Sequence, residues 1–177
     1  MQTELRTITA ADAAAYQTIR LRALQEHPEA FGADYADECS RSLAAVAERL
    51  QDLPERFVLG AWQGDHLRGM VAFHQGQGQK IRHRGGVGGM YVAPEVRGQG
   101  IGKALINELI GRARCLPNLE EIVLAVTVGN HVARAMYMAA GFQPAHLEQR
   151  YIKLADHYYD IEWMTLRFET SSVGKQS

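Results

Sequence analysis

Gly98, Gly100 and Gly102 alternate between Arg97 and Lys103, in the stretch Met90 to Lys103 that reads MYVAPEVRGQGIGK. Residues without a Cβ let a backbone turn tightly and approach an anion closely. The first turn of a following helix leaves its amides unpaired and its dipole positive. A diphosphate is the natural ligand of such a segment. A second cluster runs from Asn130 to Phe142, with Tyr137 inside it and Gly141 near its end. Asparagine is a good N-cap and glycine a good residue just past a helix C-terminus, so this cluster reads as a short helix that presents a phenol.

Two other glycine-rich phosphate loops fail on residue counts. The pattern G-x-x-x-x-G-K-[ST], aligned on Gly102-Lys103, needs glycine at Arg97 and a hydroxyl at Ala104. The dinucleotide pattern G-x-G-x-x-G, started at Gly98, needs glycine at Lys103. What the residues satisfy is R-x-x-G-x-G, through Arg97, Gly100 and Gly102, after an apolar strand segment and before an amphipathic helix. This segment resembles the acyl-coenzyme A loop of the GNAT acetyltransferases, and the Asn130–Phe142 cluster resembles the second signature of that family.

The resemblance implies acetyl-CoA as cosubstrate, no metal, and a set of cofactor contacts. These fall on Met90, Tyr91 and Val92 of the strand, whose backbone amides would bond the pantetheine arm and polarise the thioester carbonyl. They continue on Arg97, Gly98, Gln99, Gly100, Ile101, Gly102 and Lys103 of the loop, and on Asn130, Ala133 and Met136 of the second helix. It also implies that Tyr137 protonates the departing thiolate as general acid. Many relatives carry a glutamate base on the central strand, but that strand here reads Val87-Gly88-Gly89-Met90-Tyr91-Val92 and has no carboxylate. His74, His83, Glu26, Glu29 and Glu38 remain as candidates beside a water chain, and none is singled out.

The elements that must position these residues are visible in the pattern. Glu4 to Thr9 alternates as a strand, and Thr9 to Asp12 opens a helix that runs to about Glu26, where His27-Pro28 stops it. A polar connection from Glu29 to Ser40 leads to a second helical pattern from Ser42 to Leu50. Arg56 to Trp62 and Leu67 to Gln75 read as an antiparallel hairpin, and Gly76 to Gly86 as a mobile loop. Val87 to Val92 is a central strand, and Ile101, Leu105, Leu109 and Ala113 mark the buried face of the next helix. Ile122 to Val128 is apolar enough for a strand covered on both faces, and two more strands follow the Tyr137 helix. Trp62 and Trp163 fit strand patterns as core residues.

The order matches what the resemblance implies: an α/β fold with a mixed, mostly antiparallel seven-stranded sheet flanked by helices, its central strands splayed. One domain over residues 1–169 and a disordered polar tail at 170–177 are expected.

Composition narrows the partners. The chain has 177 residues, 46% of them hydrophobic, which suits one core. Lys and Arg number 19 against 20 Asp and Glu, a formal net charge of -1, so nucleic acid and anionic membrane surfaces have no electrostatic case. Cys39 and Cys115 form neither a metal-ligand spacing nor a disulfide framework. No apolar run approaches the ~20 residues of a bilayer span, and the start lacks a signal peptide's apolar stretch, so a cytoplasmic protein is expected. The leading function is transfer of an acetyl group from acetyl-CoA to a primary amine of a small molecule, by direct attack in a ternary complex. A protein N-terminus or lysine as acceptor, and a non-catalytic acyl-CoA sensor, are the alternatives. Family members often pair as homodimers through edge strands or C-terminal elements, and nothing in the sequence fixes the assembly.

Overall fold

The structure is a computed structural model that describes residues 2–169; the expected polar tail lies outside them. Its centre is one seven-stranded sheet in the order β1-β2-β3-β4-β5-β7-β6. The strands are β1 (Glu4–Thr7), β2 (Arg56–Gln63), β3 (His66–Gln75), β4 (Arg84–Val92), β5 (Glu121–Thr127), β6 (Gln143–Leu154) and β7 (His157–Arg167). The helices are α1 (Ala13–Glu26), α2 (Tyr35–Cys39), α3 (Leu43–Arg49), α4 (Ile101–Ala113) and α5 (His131–Ala139). Every pairing is antiparallel except β4 with β5. The seven strands and their mostly antiparallel arrangement agree with the sequence reading.

Element ends shift by one or two residues, as at Thr7 where β1 stops short of Thr9, and two segments differ more. The segment read as a loop to Gly86 enters the sheet at Arg84, because Gly85 and Gly86 pair with Gln75 and His74 of β3. Gly85 is needed there, since a Cβ would lie 2.6 Å from the buried Phe73 ring; a Cβ on Gly86 would lie 2.4 Å from the exposed His74 ring and displace it. The polar connection after Glu29 contains the short α2, capped by Asp34, whose side chain accepts from the Ala36 amide at 2.7 Å.

The core lies between the sheet and its helices. Ile101, Leu105, Ile106, Leu109, Ile110 and Ala113 of α4 are buried, two more than the four-residue repeat marked. Phe57 and Phe73 stack across β2 and β3 at 5.1 Å between centroids. Trp62 is buried as expected, with no hydrogen-bond partner for its indole N–H, whereas Trp163 is half-buried and donates to Glu148 at 2.8 Å.

The chain enters α1 through a short turn at Ala10–Asp12. Asp12 takes two hydrogen bonds from the Arg6 guanidinium, at 2.8 and 2.9 Å, and one from the Thr9 amide at 2.9 Å, tying β1 to α1. Arg6 is the main cause that lowers the Asp12 pKa to about 2. A carboxyl whose folded pKa is depressed contributes stability above its unfolded value of ~3.9, and that contribution is lost as pH falls through the folded value. Discounted for the partial exposure of Arg6, Asp12→Asn should cost about 1 kcal/mol at neutral pH, or ~2–4 °C in Tm. Thermal melts should show that deficit shrinking as pH falls from ~4 towards the folded pKa.

Candidate functional site: a parted strand pair opening onto a helix N-terminus

β4 and β5 pair only at their beginnings, Arg84 to Gly86 against Glu121 to Val123. Beyond that point they separate, so the second half of β4 has a neighbour on one side alone. The cause lies partly in β4. Ala72 faces Gly88 and Met70 faces Tyr91, which leaves one extra residue on β4, and Gly89 adopts φ +63 there. A glycine in the left-handed region with a one-residue register shift is a bulge that bends the strand.

Alternation decides which backbone groups remain free. Ala93 donates to the Arg68 carbonyl at 2.8 Å, and Tyr91 opposes Met70, so the backbone groups of Tyr91 turn to β3. Those of Val92 and Met90 turn to the open side. Tyr91 therefore does not offer its amide, contrary to the expectation for all three residues. It contributes a phenol that donates to Glu26 at 2.6 Å. Burial, followed by that hydrogen bond, pushes the Tyr91 pKa up, and the same bond leads the causes that lower the Glu26 pKa.

The open strand edge runs into the glycine loop. Gly98 and Gly100 both have φ +77, a conformation costly to other residues, while a Cβ on Gly102 would lie 2.9 Å from Met136 Sδ of α5, so the two elements pack closely there. Gly100 is the N-cap of α4 and no side chain caps the helix. The first-turn amides at Ile101, Gly102 and Lys103 thus have no partner within it. Pro94–Val96 forms a short turn just before the loop. Its Glu95 accepts from Arg22 of α1 and Arg68 of β3, each at 2.8 Å, and Arg22 leads the causes that lower its pKa to about 2.

α5 closes the other side. Asn130 Oδ1 accepts from the Ala133 amide at 3.1 Å, as its N-cap reading requires. At the far end Phe142 donates to the Tyr137 carbonyl at 3.1 Å and Gly141 to that of Met138 at 3.0 Å, with Gly141 at φ +100. The Tyr137 and Phe142 rings meet edge-on at 5.9 Å, completing a Schellman motif. Asn130→Ala should destabilise the protein by about 1 kcal/mol through loss of the cap, read as a lower denaturant midpoint at unchanged slope.

These elements enclose a cleft of about 550 Å³. Met90, Tyr91, Val92, Arg97, Gly98, Gly100, Ile101, Gly102, Lys103, Asn130, Ala133 and Met136 line it, so most of the expected contacts meet in one place. Three expectations are modified. Gln99 is not in the lining; its side chain accepts from Gln63 at 3.3 Å. The Arg97 guanidinium is engaged, with Nε donating to the Val92 carbonyl at 2.9 Å and Nη2 lying 3.0 Å from His27 Nε2. Tyr137 is the buried residue of α5 and does not line the cleft, and burial alone pushes its pKa up, no hydrogen bond contributing.

His27, Ala30, Phe31, Val96 and Val132 line the cleft without having been foreseen. The Thr127 hydroxyl donates to the Glu29 carbonyl at 2.8 Å, which straps the segment at residues 28–31 across the parted strands to β5. Of the candidate bases, Glu26 is held by Tyr91 and Arg22, Glu29 lies 3.4 Å from His27, and Glu38 is paired with Arg49 and Arg41. His74 sits against Gly86 away from the cleft, and burial lowers its pKa. No group of three or more potential metal ligands occurs among the described residues. No helix among them is long and apolar enough to cross a membrane.

A parted strand pair leading to an uncapped helix N-terminus is the arrangement that the sequence resemblance implies for an acyl-coenzyme A site. The sequence profile of the acetyltransferase (GNAT) family matches residues 20–142, and the chain belongs to that family. It is thus an acyltransferase by family. Among curated proteins none matches the chain in sequence. Three solved structures show the same fold at low identity. A GNAT-family acetyltransferase from Streptococcus pneumoniae superposes with TM-score 0.85 at 19% identity, over 94% of this chain and 100% of that one. A phosphinothricin acetyltransferase from Sinorhizobium meliloti, in complex with acetyl-CoA, gives 0.78 at 21% over 100% and 94%. A ribosomal-protein-alanine N-acetyltransferase from Brucella melitensis gives 0.73 at 22% over 93% and 99%. The last two act on different kinds of acceptor by their names, so the shared fold does not choose between a small molecule and a protein.

Proposed function

We propose that the protein transfers an acetyl group from acetyl-CoA to a primary amine of a small molecule, by direct attack in a ternary complex. The observation that carries this reading is continuity. The free amides of β4 and the unpaired amides opening α4 lie along one cleft, as a ligand with a diphosphate at one end and an amide-bearing arm at the other requires. The bare backbone at Gly98 and Gly100, where a Cβ would point into open space, fits the close approach of a diphosphate, and Lys103 adds a cation beside it. Acetyl-CoA supplies an activated thioester; the chain supplies orientation, charge stabilisation and a proton.

In this reading the Met90 and Val92 amides face the thioester carbonyl and stabilise its oxygen as charge builds there, when the acceptor nitrogen forms its bond to the carbonyl carbon. Arg97 holds the Val92 carbonyl and so fixes the edge that presents the amide. Tyr137 gives its proton to the sulfur as the carbon–sulfur bond breaks, a role that requires its buried hydroxyl to reach the cleft when the carrier is bound; a phenol is protonated at neutral pH, and burial raises its pKa further. The acceptor nitrogen loses its proton to water, since Glu26 already holds Arg22 and the Tyr91 phenol, Glu38 holds Arg41 and Arg49, and Glu29 faces the His27 ring. The strap at residues 28–31 narrows the acceptor side, which favours a small amine over a protein segment lying in an open groove. A cytoplasmic location belongs to the same reading, as does a homodimer, for which β1 and β6 are the free edges of the sheet.

Thiol release from acetyl-CoA over a panel of amines tests the proposal. Amine-dependent release is expected. Binding of acetyl-CoA with no release for any amine would mark an acyl-CoA sensor instead.

A further inference from the structure

The face of the sheet turned away from α4 is open at its centre. Gly69 packs towards Ile101 and Leu105 of α4, so Ala72, and with it its partner Gly88, faces the other way. A Cβ on Gly88 would meet no atom within 4 Å. Ala125 of β5 is exposed although its strand is internal, and its register partner Trp163 of β7 is only half-buried. Gly88, Ala125 and Trp163 therefore floor a trough that crosses the gap between β4 and β5, on the side where α1 and the strap at residues 28–31 lie.

Arg20 of α1 projects over this trough. Its Nη1 lies 3.9 Å from where a Cβ on Gly89 would stand, beside the bulge that frees the β4 edge. Its guanidinium sits 5.1 Å above the Phe31 ring, which also lines the cleft. The residue is half-buried. Arg6, Arg22, Arg49, Arg68 and Arg134 each hold a carboxylate, yet Arg20 has neither an ion-pair nor a hydrogen-bond partner among the described residues. Glu38, which acts on Tyr16 together with Arg20, is already shared between Arg41 and Arg49. A half-buried guanidinium given no counter-charge gains from a bidentate carboxylate, whose two oxygens match its paired N–H groups.

We infer that Arg20 binds a carboxylate of the acceptor, so that the acceptor class is a small primary amine carrying a carboxylate, as in an amino acid. The inference rests on the acetyl transfer proposed above. The placement fits the reaction: a carboxylate on Arg20 leaves the amino group of the same molecule beside the bulge, next to the Met90 amide. The same cation disfavours polyamines, whose second ammonium finds no carboxylate at Arg20.

The test compares matched acceptors: an amino acid, its amide, the amine left after decarboxylation, and the corresponding aminophosphonate. The carboxylic acid should exceed the amide and the bare amine by at least about tenfold in kcat/KM. Arg20→Gln should erase that preference through a raised KM for the acid, leave the KM for acetyl-CoA in place, and melt as the wild type does. Arg20→Lys should recover part of the preference. Equal use of acid and amide by the wild type, a clear preference for the phosphonate over the carboxylate, or a preference that survives Arg20→Gln overturns the inference. Failure of every acid in the panel while acetyl-CoA still binds overturns it too, and leaves the binding of acetyl-CoA standing. Absence of acetyl-CoA binding overturns both readings together.

Discussion

Gly100→Glu is expected to leave a folded protein that no longer binds acetyl-CoA. Gly100 caps α4 at φ +77, where a side chain costs ~1–2 kcal/mol, a modest part of the ~5–15 kcal/mol by which domains of this size are stable. The fold should therefore survive. A glutamate at the N-cap sets its own carboxylate among the amides of Ile101, Gly102 and Lys103, occupying the donors that a diphosphate would take and repelling it. Affinity should fall at least ~100-fold, the scale of losing several charge-assisted hydrogen bonds and adding a like charge. At a ligand concentration of about 100 times Kd, the wild type should gain ~2.7 kcal/mol, a rise of several degrees in Tm. The variant should show no rise, and an equal rise in both proteins would remove the glycine loop from the site.

Tyr137→Phe should separate binding from chemistry. The Tyr137 ring fills the corner between α5 and Phe142, and a phenylalanine fills it equally well, so stability and acetyl-CoA affinity should change little. What disappears is one hydroxyl, which no hydrogen bond perturbs. If it protonates the leaving sulfur, kcat should fall by ~10²-fold or more, the usual weight of a positioned general acid. Burial raises the phenol pKa, so the donor stays protonated and the deficit should persist across about pH 6–9. A pH–rate profile of the variant that overlays the wild type would exclude Tyr137 from the mechanism.

The parts of the site written in contiguous residues were legible in the sequence. Asn130 and Gly141 define α5 through its own caps, and Gly98 to Lys103 define the start of α4, because capping acts within one turn of helix. The strands followed from alternation at the two ends of the chain, from apolar runs between them, and from the hairpin turn at Gly64-Asp65. The bulge carried a signal that could have found it, since a Gly88-Gly89 pair inside a central strand has few other purposes.

The bracing of the cleft was not legible. Tyr91 and Glu26 are 65 residues apart in the chain, and Arg22 and Glu95 are 73 apart. Nothing in local propensity pairs them. The same holds for the Thr127–Glu29 strap, 98 residues apart, which makes the segment after α1 a wall of the cleft. The backbone direction of Tyr91 depends on a register shift against β3 and reverses with a single residue, so sequence alone credited it with an amide that β3 consumes. Arg97 illustrates the same limit: its position in the motif is local, but its bonds to Val92 and His27 are tertiary.

Isothermal titration of the folded protein with acetyl-CoA tests the central claim most directly, namely that the edge of β4 and the N-terminus of α4 together hold an acyl carrier. A saturable heat signal of one ligand per chain, weakened by competing free CoA and absent in Gly100→Glu, is the predicted result. A flat titration on protein that melts cooperatively would contradict the account.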